Sequence, residues 1–141
     1  MSQVRILPGS PTSASDGSVL TVRIERIGSV RLLIPTTRRE RRRGLLGLAR
    51  IGPHDALLLE RCRVVHTVGM RCAIDVVILD RERQPVDVIT LRPGRIIRPR
   101  RRGRHVLETA AGRGLAIAQV IQAEPPPQPP NTHLSSRRSS T

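Results

Sequence analysis

The amino-acid sequence predicts an α+β domain that is mainly β, with a small, curved, mostly antiparallel and barrel-like sheet and one short helix. Short runs of aliphatic and β-branched residues recur along the chain and are separated by Gly, Pro and Asp turns. A single helix-capping pattern lies near residue 37. The 141 residues include no Phe, Tyr or Trp, so the core has to be built from aliphatic side chains.

The first predicted elements form a β-hairpin. Apolar and polar residues alternate from Leu20 to Ile24, which is typical of a half-buried strand. Gly28 and Ser29 predict a turn, and residues 30–34 return as the second strand.

The predicted helix follows this hairpin. Thr37-x-x-Glu40 is a capping-box pattern, which opens a helix through Arg43 toward Leu46. Because glycine is a poor helix former, we expect the helix to end near Gly47.

Further strands are predicted in the remaining chain from short apolar or alternating runs. They cover residues 56–59, 63–68, 74–79, 86–91, 105–109 and 115–121. The polar residues 80–84 join two of these runs into the clearest hairpin of the sequence.

Composition separates one folded domain from two tails. Residues 1–18 are rich in Ser, Thr, Pro and Gly, and residues 124–141 are rich in Pro, Ser and Arg, so both are expected to be disordered. The folded domain is expected over residues 19–123.

The charge balance is strongly basic. The formal net charge is +14, and all 25 basic residues are arginine, which indicates a composition bias across the genome. We expect nonspecific attraction to nucleic acid or to an anionic surface. No apolar run approaches the roughly 20 residues of a transmembrane helix, so a cytoplasmic location is expected.

Four motifs resemble the domain of unknown function 192 family. Residues 37–47 resemble its "T-x-x-E-R-x-x-G-L-M" opening, and residues 56–59 lie where that family has "G-M-L-F". Residues 73–80 resemble its "P-L-D-I-I-F-L-D" motif, and Val106-Leu107-Glu108 with Gly112 resembles "V-L-E-x-x-x-G". The motifs agree in order and spacing over residues 31–121. The resemblance implies a small, mainly β fold without an established activity.

A soft metal site is the first candidate for chemistry. Cys62, His66, Met70 and Cys72 lie within eleven residues, and their ligand atoms suit copper(I) or, without Met70, zinc. The alternative is that the sulfur-containing side chains fill gaps in a core that has no aromatic residue.

Nucleophilic catalysis is a second candidate, with a cysteine activated by His66 and an acid such as Asp75 to orient the ring. The alternative for Asp75 is a structural hydrogen bond or an ion pair. Glu108, which matches the family motif, is expected to be a buried partner of an arginine. No catalytic residue is assigned.

A polyanion site is the third candidate. Its residues lie in the densest charge run, the segment 92–104, and are Arg95, Arg98, Arg100, Arg101, Arg102 and Arg104. Arginine binds phosphate well, but the chain has no aromatic residue on which bases could stack.

The leading interpretation is a non-enzymatic binding or accessory domain whose ligand is unknown. Its expected ligand groove lies around residues 66–70, with His66, Met70, Asp75 and Glu108 as candidate contacts. The alternatives are the polyanion site and a thiol- or metal-dependent site.

Overall fold

The computed structural model describes residues 3–6, 20–47 and 51–124 of the chain. Nine strands and two α-helices follow one another in these ranges, with a 3₁₀ turn at Gly44–Gly47. In chain order they are β1 (Gln3–Ile6), β2 (Leu20–Ile27), β3 (Val30–Pro35), α1 (Arg38–Arg43), β4 (Asp55–Leu59), β5 (Val65–His66), β6 (Ile74–Leu79), β7 (Pro85–Leu91), β8 (Ile96–Ile97), β9 (His105–Ala110) and α2 (Gly114–Ala123).

Most of the described strands belong to one mixed sheet in the order β1-β2-β3-β4-β9-β6-β7, while β5 and β8 form a separate ribbon. Neighbours in the sheet are antiparallel except β3 and β4, which are parallel. The predicted α+β, mainly β and mostly antiparallel class is confirmed. Within the described residues the sheet is open, with β1 and β7 at its edges, so the barrel-like closure is not formed there.

The predicted helix begins where the capping pattern placed it. Thr37 is the N-cap of α1, and its side chain accepts a hydrogen bond from the N–H of Glu40. The α-helix ends at Arg43, and Gly44 continues into the 3₁₀ turn.

The strand predicted over residues 115–121 is wrong, because these residues lie in the second helix, α2. Ile117, Ala118 and Ile121 are buried, whereas Gln119 and Gln122 are exposed, which is the spacing of a helix with one apolar face. A short apolar run fits a strand or a buried helix equally well when only its hydrophobicity is considered.

The sheet separates two apolar clusters. In β6, Val76 and Ile78 face the first cluster, which includes Leu45 beside α1. Val77 and Leu79 face the second cluster, which α2 covers with Ile117 and Ile121. Residues that alternate along β6 and β9 are therefore placed in two different environments.

The predicted tails fall largely outside the described residues. Within the predicted N-terminal tail, Gln3–Ile6 forms β1 and pairs with β2 instead of remaining without structure. Of the predicted C-terminal tail, the described part is Glu124, the C-cap of α2. The domain limits of 19 and 123 stay a prediction.

Candidate functional site

A cavity of about 600 Å³ lies between α1 and the segment that leads into β5. Its walls come from α1, from the end of β4 and from residues 61–66, and Glu108 of β9 also lines it. The size is in the range of pockets that hold small molecules in proteins.

Glu108 is the buried acid of this cavity. β9 lies between β4 and β6, where Glu108 is paired with Leu57 and Val76, and only 3% of the residue is exposed. The Leu45 N–H donates a hydrogen bond of 2.8 Å to its Oε2. Burial raises the pKa of Glu108 to about 7, although the Leu45 N–H favours the charged form. Near neutral pH, Glu108 is thus present in both protonation states.

Gly44 allows the 3₁₀ turn to approach Glu108 this closely. Its φ of +51° is in the left-handed region, and a Cβ atom at this position would lie 2.8 Å from Glu108 Oε2. The glycine of the motif at 37–47 and the acid of the motif at 106–112 are therefore parts of one contact.

Arginine side chains surround the cavity on its solvent side. The exposed arginines in its lining are Arg38, Arg41, Arg42, Arg43, Arg61 and Arg63. Ion pairs among the described residues involve Arg23, Arg31 and Arg83 instead. The guanidinium group of Arg41 donates to the Glu60 carbonyl oxygen. The rim of the cavity therefore carries a cluster of positive charges.

Glu108 does not form the arginine ion pair expected from the sequence. Its hydrogen-bond partner in the described chain is the Leu45 N–H, and none of the ion pairs there includes it. The physical reason is that the 3₁₀ turn covers Glu108, while the arginines of α1 extend toward solvent.

Cys62 and His66 form another part of the cavity wall. The Cys62 thiol donates to the Val64 carbonyl oxygen at 3.1 Å. Burial raises the pKa of this thiol, and the negative charge of Glu108 adds to the effect, which disfavours the nucleophilic thiolate. The Nδ1 atom of His66 is buried without a hydrogen-bond partner among the described residues.

The remaining members of the predicted metal site lie outside the cavity lining. Met70 packs against the first apolar cluster, and Cys72 is exposed. The described ranges contain no group of three or more His, Cys, Asp or Glu residues that could hold a metal ion.

Asp75 lies on the opposite face of the sheet from Glu108. Its Oδ1 accepts a hydrogen bond from the Thr90 hydroxyl at 2.8 Å, and its Oδ2 accepts one from the Gly114 N–H at 2.9 Å. Asp75 thereby joins β6 and β7 to the start of α2. Asp75 is therefore separated from the expected groove and from the expected cysteine–histidine–aspartate arrangement, since neighbouring residues of β6 face opposite sides, whereas His66 and Glu108 both line the cavity.

The arginines of the predicted polyanion site are exposed on one segment. They are Arg95, Arg98, Arg100, Arg101, Arg102 and Arg104. Thr67, which sequence reasoning missed, holds this segment from beneath: its hydroxyl donates to the Arg92 carbonyl oxygen at 2.6 Å and accepts from the Arg95 N–H at 2.9 Å. A threonine between a histidine and a valine carries no sequence signal for such a role.

These features define a small α+β domain with an arginine-rimmed cavity and a buried acid on one face of an open sheet. The model of the domain of unknown function 192 family, described as an uncharacterised ancient conserved region, matches residues 20–120. The chain belongs to that family, as its motifs predicted.

Comparisons with individual proteins agree with this assignment. The chain is similar to the UPF0127 protein of Pyrococcus abyssi, with 44% identity over 60 residues, or 43% of this chain and 48% of the relative. The match thus spans about half of that curated relative.

Two solved structures share the fold. A Novosphingobium aromaticivorans protein of unknown function aligns with a TM-score of 0.52 and 12% identity, over 78% of this chain and 88% of its own. A Sinorhizobium meliloti protein, provisionally named a transcription regulator, aligns with a TM-score of 0.52 and 15% identity, over 77% of this chain and 78% of its own.

In the described residues, no helix has the length and apolar character needed to cross a membrane.

Proposed function

We propose that the domain is a non-enzymatic binding domain whose cavity takes a small organic anion, such as a carboxylate or a phosphate ester. The observation that carries this proposal is the combination of available arginine charge at the rim with a buried, protonatable Glu108. The rim attracts a negative group, and protonated Glu108 can donate a hydrogen bond to one of its oxygen atoms.

The remaining lining supports a ligand that is organic. Leu59 and Val65 are buried apolar residues of the wall, and Val64 presents an exposed apolar side chain there. A ligand with a carbon skeleton can contact these residues while its anionic group meets the arginines.

Glu108 links binding to pH. An anion near Glu108 favours the protonated acid, because the charged acid would repel it. Since the pKa of Glu108 is about 7, affinity should fall as pH rises through neutrality. Arginine stays charged over this range, so attraction by the rim alone would not produce that change.

Isothermal titration calorimetry with citrate, benzoate and glycerol phosphate tests the proposal at constant ionic strength. We expect saturable binding of at least one anion, weaker binding in Arg42→Gln, and loss of the pH dependence in Glu108→Gln. Arg26→Gln, an exposed arginine on β2 away from the lining, is the matched control. Equal affinities of Arg42→Gln and Arg26→Gln, or a fall in affinity with rising pH that persists in Glu108→Gln, would refute the assignment of these residues.

A second candidate function is polyanion binding through the segment 92–104. It is supported by the exposure of the arginines there and by the absence of acidic residues from the segment. Binding to RNA, DNA and heparin measured against salt concentration tests it. A preference for one polyanion at physiological salt supports a dedicated site, whereas equal and salt-labile binding indicates charge alone.

A further inference from the structure

Exposed apolar side chains gather on the ribbon of β5 and β8. Val64, Val68 and Ile96 are exposed to 44%, 51% and 65%. Ile96 is the cross-strand partner of His66, and Val64 precedes His66 by two residues, so these side chains share one face of the ribbon. Val68 follows at the turn that ends β5.

Arginines surround these apolar residues. We define the ribbon face as residues 61–72 and 92–104, which together contain ten arginines and no Asp or Glu. All ten arginines are exposed. The two segments thus combine exposed apolar side chains with exposed arginines and contribute no acidic residue of their own.

Backbone hydrogen bonds hold the two segments of the ribbon face together. The Thr67 N–H donates to the Arg95 carbonyl oxygen at 2.8 Å, and the Gly94 N–H donates to the Thr67 carbonyl oxygen at 2.9 Å. At the other end of the face, the Cys62 N–H donates to the Arg104 carbonyl oxygen at 3.1 Å. The apolar residues and the arginines are therefore presented as one preformed surface.

We propose that the ribbon face docks onto an anionic lipid surface. Val68 and Ile96 enter the boundary between headgroups and acyl chains, while the arginines bind lipid phosphate and carboxylate groups. This inference deepens the second candidate function by naming the polyanion. A lipid surface fits better than nucleic acid. Single-stranded nucleic acid is held by aromatic stacking, for which the chain has no residue, and the phosphates of any nucleic acid offer nothing to exposed aliphatic side chains.

Sedimentation with lipid vesicles tests this inference on the full chain. The vesicles are phosphatidylcholine alone or phosphatidylcholine with about 30% phosphatidylserine, which supplies the negative surface potential. We expect binding to the anionic vesicles, and about tenfold weaker binding for the double variant Val68→Ser/Ile96→Ser. Leu115→Ser is the matched control, since Leu115 is exposed to 63% on α2, outside the ribbon face; its binding should be unchanged.

Two further variants keep the test decisive. Ile96→Phe enlarges the apolar contact and should strengthen binding to the anionic vesicles, while its sedimentation without vesicles should stay unchanged. Arg95→Gln/Arg98→Gln should weaken binding by roughly fivefold for each arginine.

Two outcomes of these measurements would overturn the inference. If Val68→Ser/Ile96→Ser binds anionic vesicles as the unmodified chain does, and only the arginine variant is weakened, the surface attracts charge alone. The inference is also overturned if the chain binds RNA but neither kind of vesicle. In that second case polyanion binding survives as a candidate while the lipid assignment fails.

Discussion

Glu108→Gln should remove a specific pH dependence from the stability of the domain. Glutamate has an ordinary pKa of 4.5, and burial raises the pKa of Glu108 to about 7 in the folded protein. As pH rises, the unfolded chain therefore loses this proton before the folded chain does. The free energy of unfolding falls between pH 4.5 and about pH 7 and is level, for this group, at higher pH.

The size of the effect follows from the two pKa values. One pKa unit corresponds to about 1.4 kcal/mol, so Glu108 destabilises the folded state by about 3 kcal/mol on going from acid to neutral pH. The residue is only 3% exposed, so solvent screens little of this cost. Glutamine keeps the oxygen that accepts the Leu45 N–H and does not ionise.

Urea denaturation of the two proteins across this pH range measures the difference directly. The stability of Glu108→Gln relative to the unmodified chain should rise by about 3 kcal/mol as pH increases, since groups common to both proteins cancel. Glu82→Gln, at an exposed position between β6 and β7, is the matched control for loss of one carboxylate. A difference that stays constant with pH, or that changes in the opposite direction, would refute the assignment of Glu108 as a buried acid with a raised pKa.

Three other substitutions test the contacts that build the site. Gly44→Ala should destabilise the folded domain by about 2–4 kcal/mol, which is more than Gly94→Ala. Both glycines have positive φ, but a Cβ atom would meet Glu108 Oε2 only at Gly44. Thermal unfolding measures both variants, and equal losses of stability would exclude the clash. Thr67→Val should lower the free energy of unfolding by about 1–3 kcal/mol, because backbone groups of the segment 92–104 lose their hydrogen-bond partner. Thr67→Ser keeps the hydroxyl and should retain most of that stability. Unchanged stability of Thr67→Val would show that the hydroxyl is dispensable. Asp75→Asn should cost about 1–3 kcal/mol and increase hydrogen exchange at the start of α2, because an NH2 group replaces one of the two oxygen atoms that accept from Thr90 and Gly114. Unchanged exchange there would contradict the linking role.

The sequence predicts elements well where a local signal is unambiguous. Thr37 and Glu40 give the start of α1 because capping depends on residues three apart in the chain. The prediction of a strand over residues 115–121 is wrong, because packing against the second cluster decides in favour of a helix there. Local hydrophobicity does not reveal that cluster.

The candidate site was predictable only in part for a related reason. Cys62 and His66 lie close in sequence and share the cavity wall. Gly44 and Glu108 are separated by 64 positions in the chain, and they meet only because β9 is inserted between β4 and β6. Nearness in sequence predicts that Asp75 shares a groove with His66, but the alternation of β6 turns Asp75 to the other face of the sheet.

The most direct test of small-anion binding is an amide NMR titration that follows Leu45, whose N–H is bonded to Glu108. With citrate, benzoate or glycerol phosphate, we predict a saturable shift of the Leu45 and Cys62 signals, with tighter binding at about pH 6 than at about pH 8. If those signals stay fixed while only the exposed arginines of the segment 92–104 respond, the cavity is not the binding site and the proposal is contradicted.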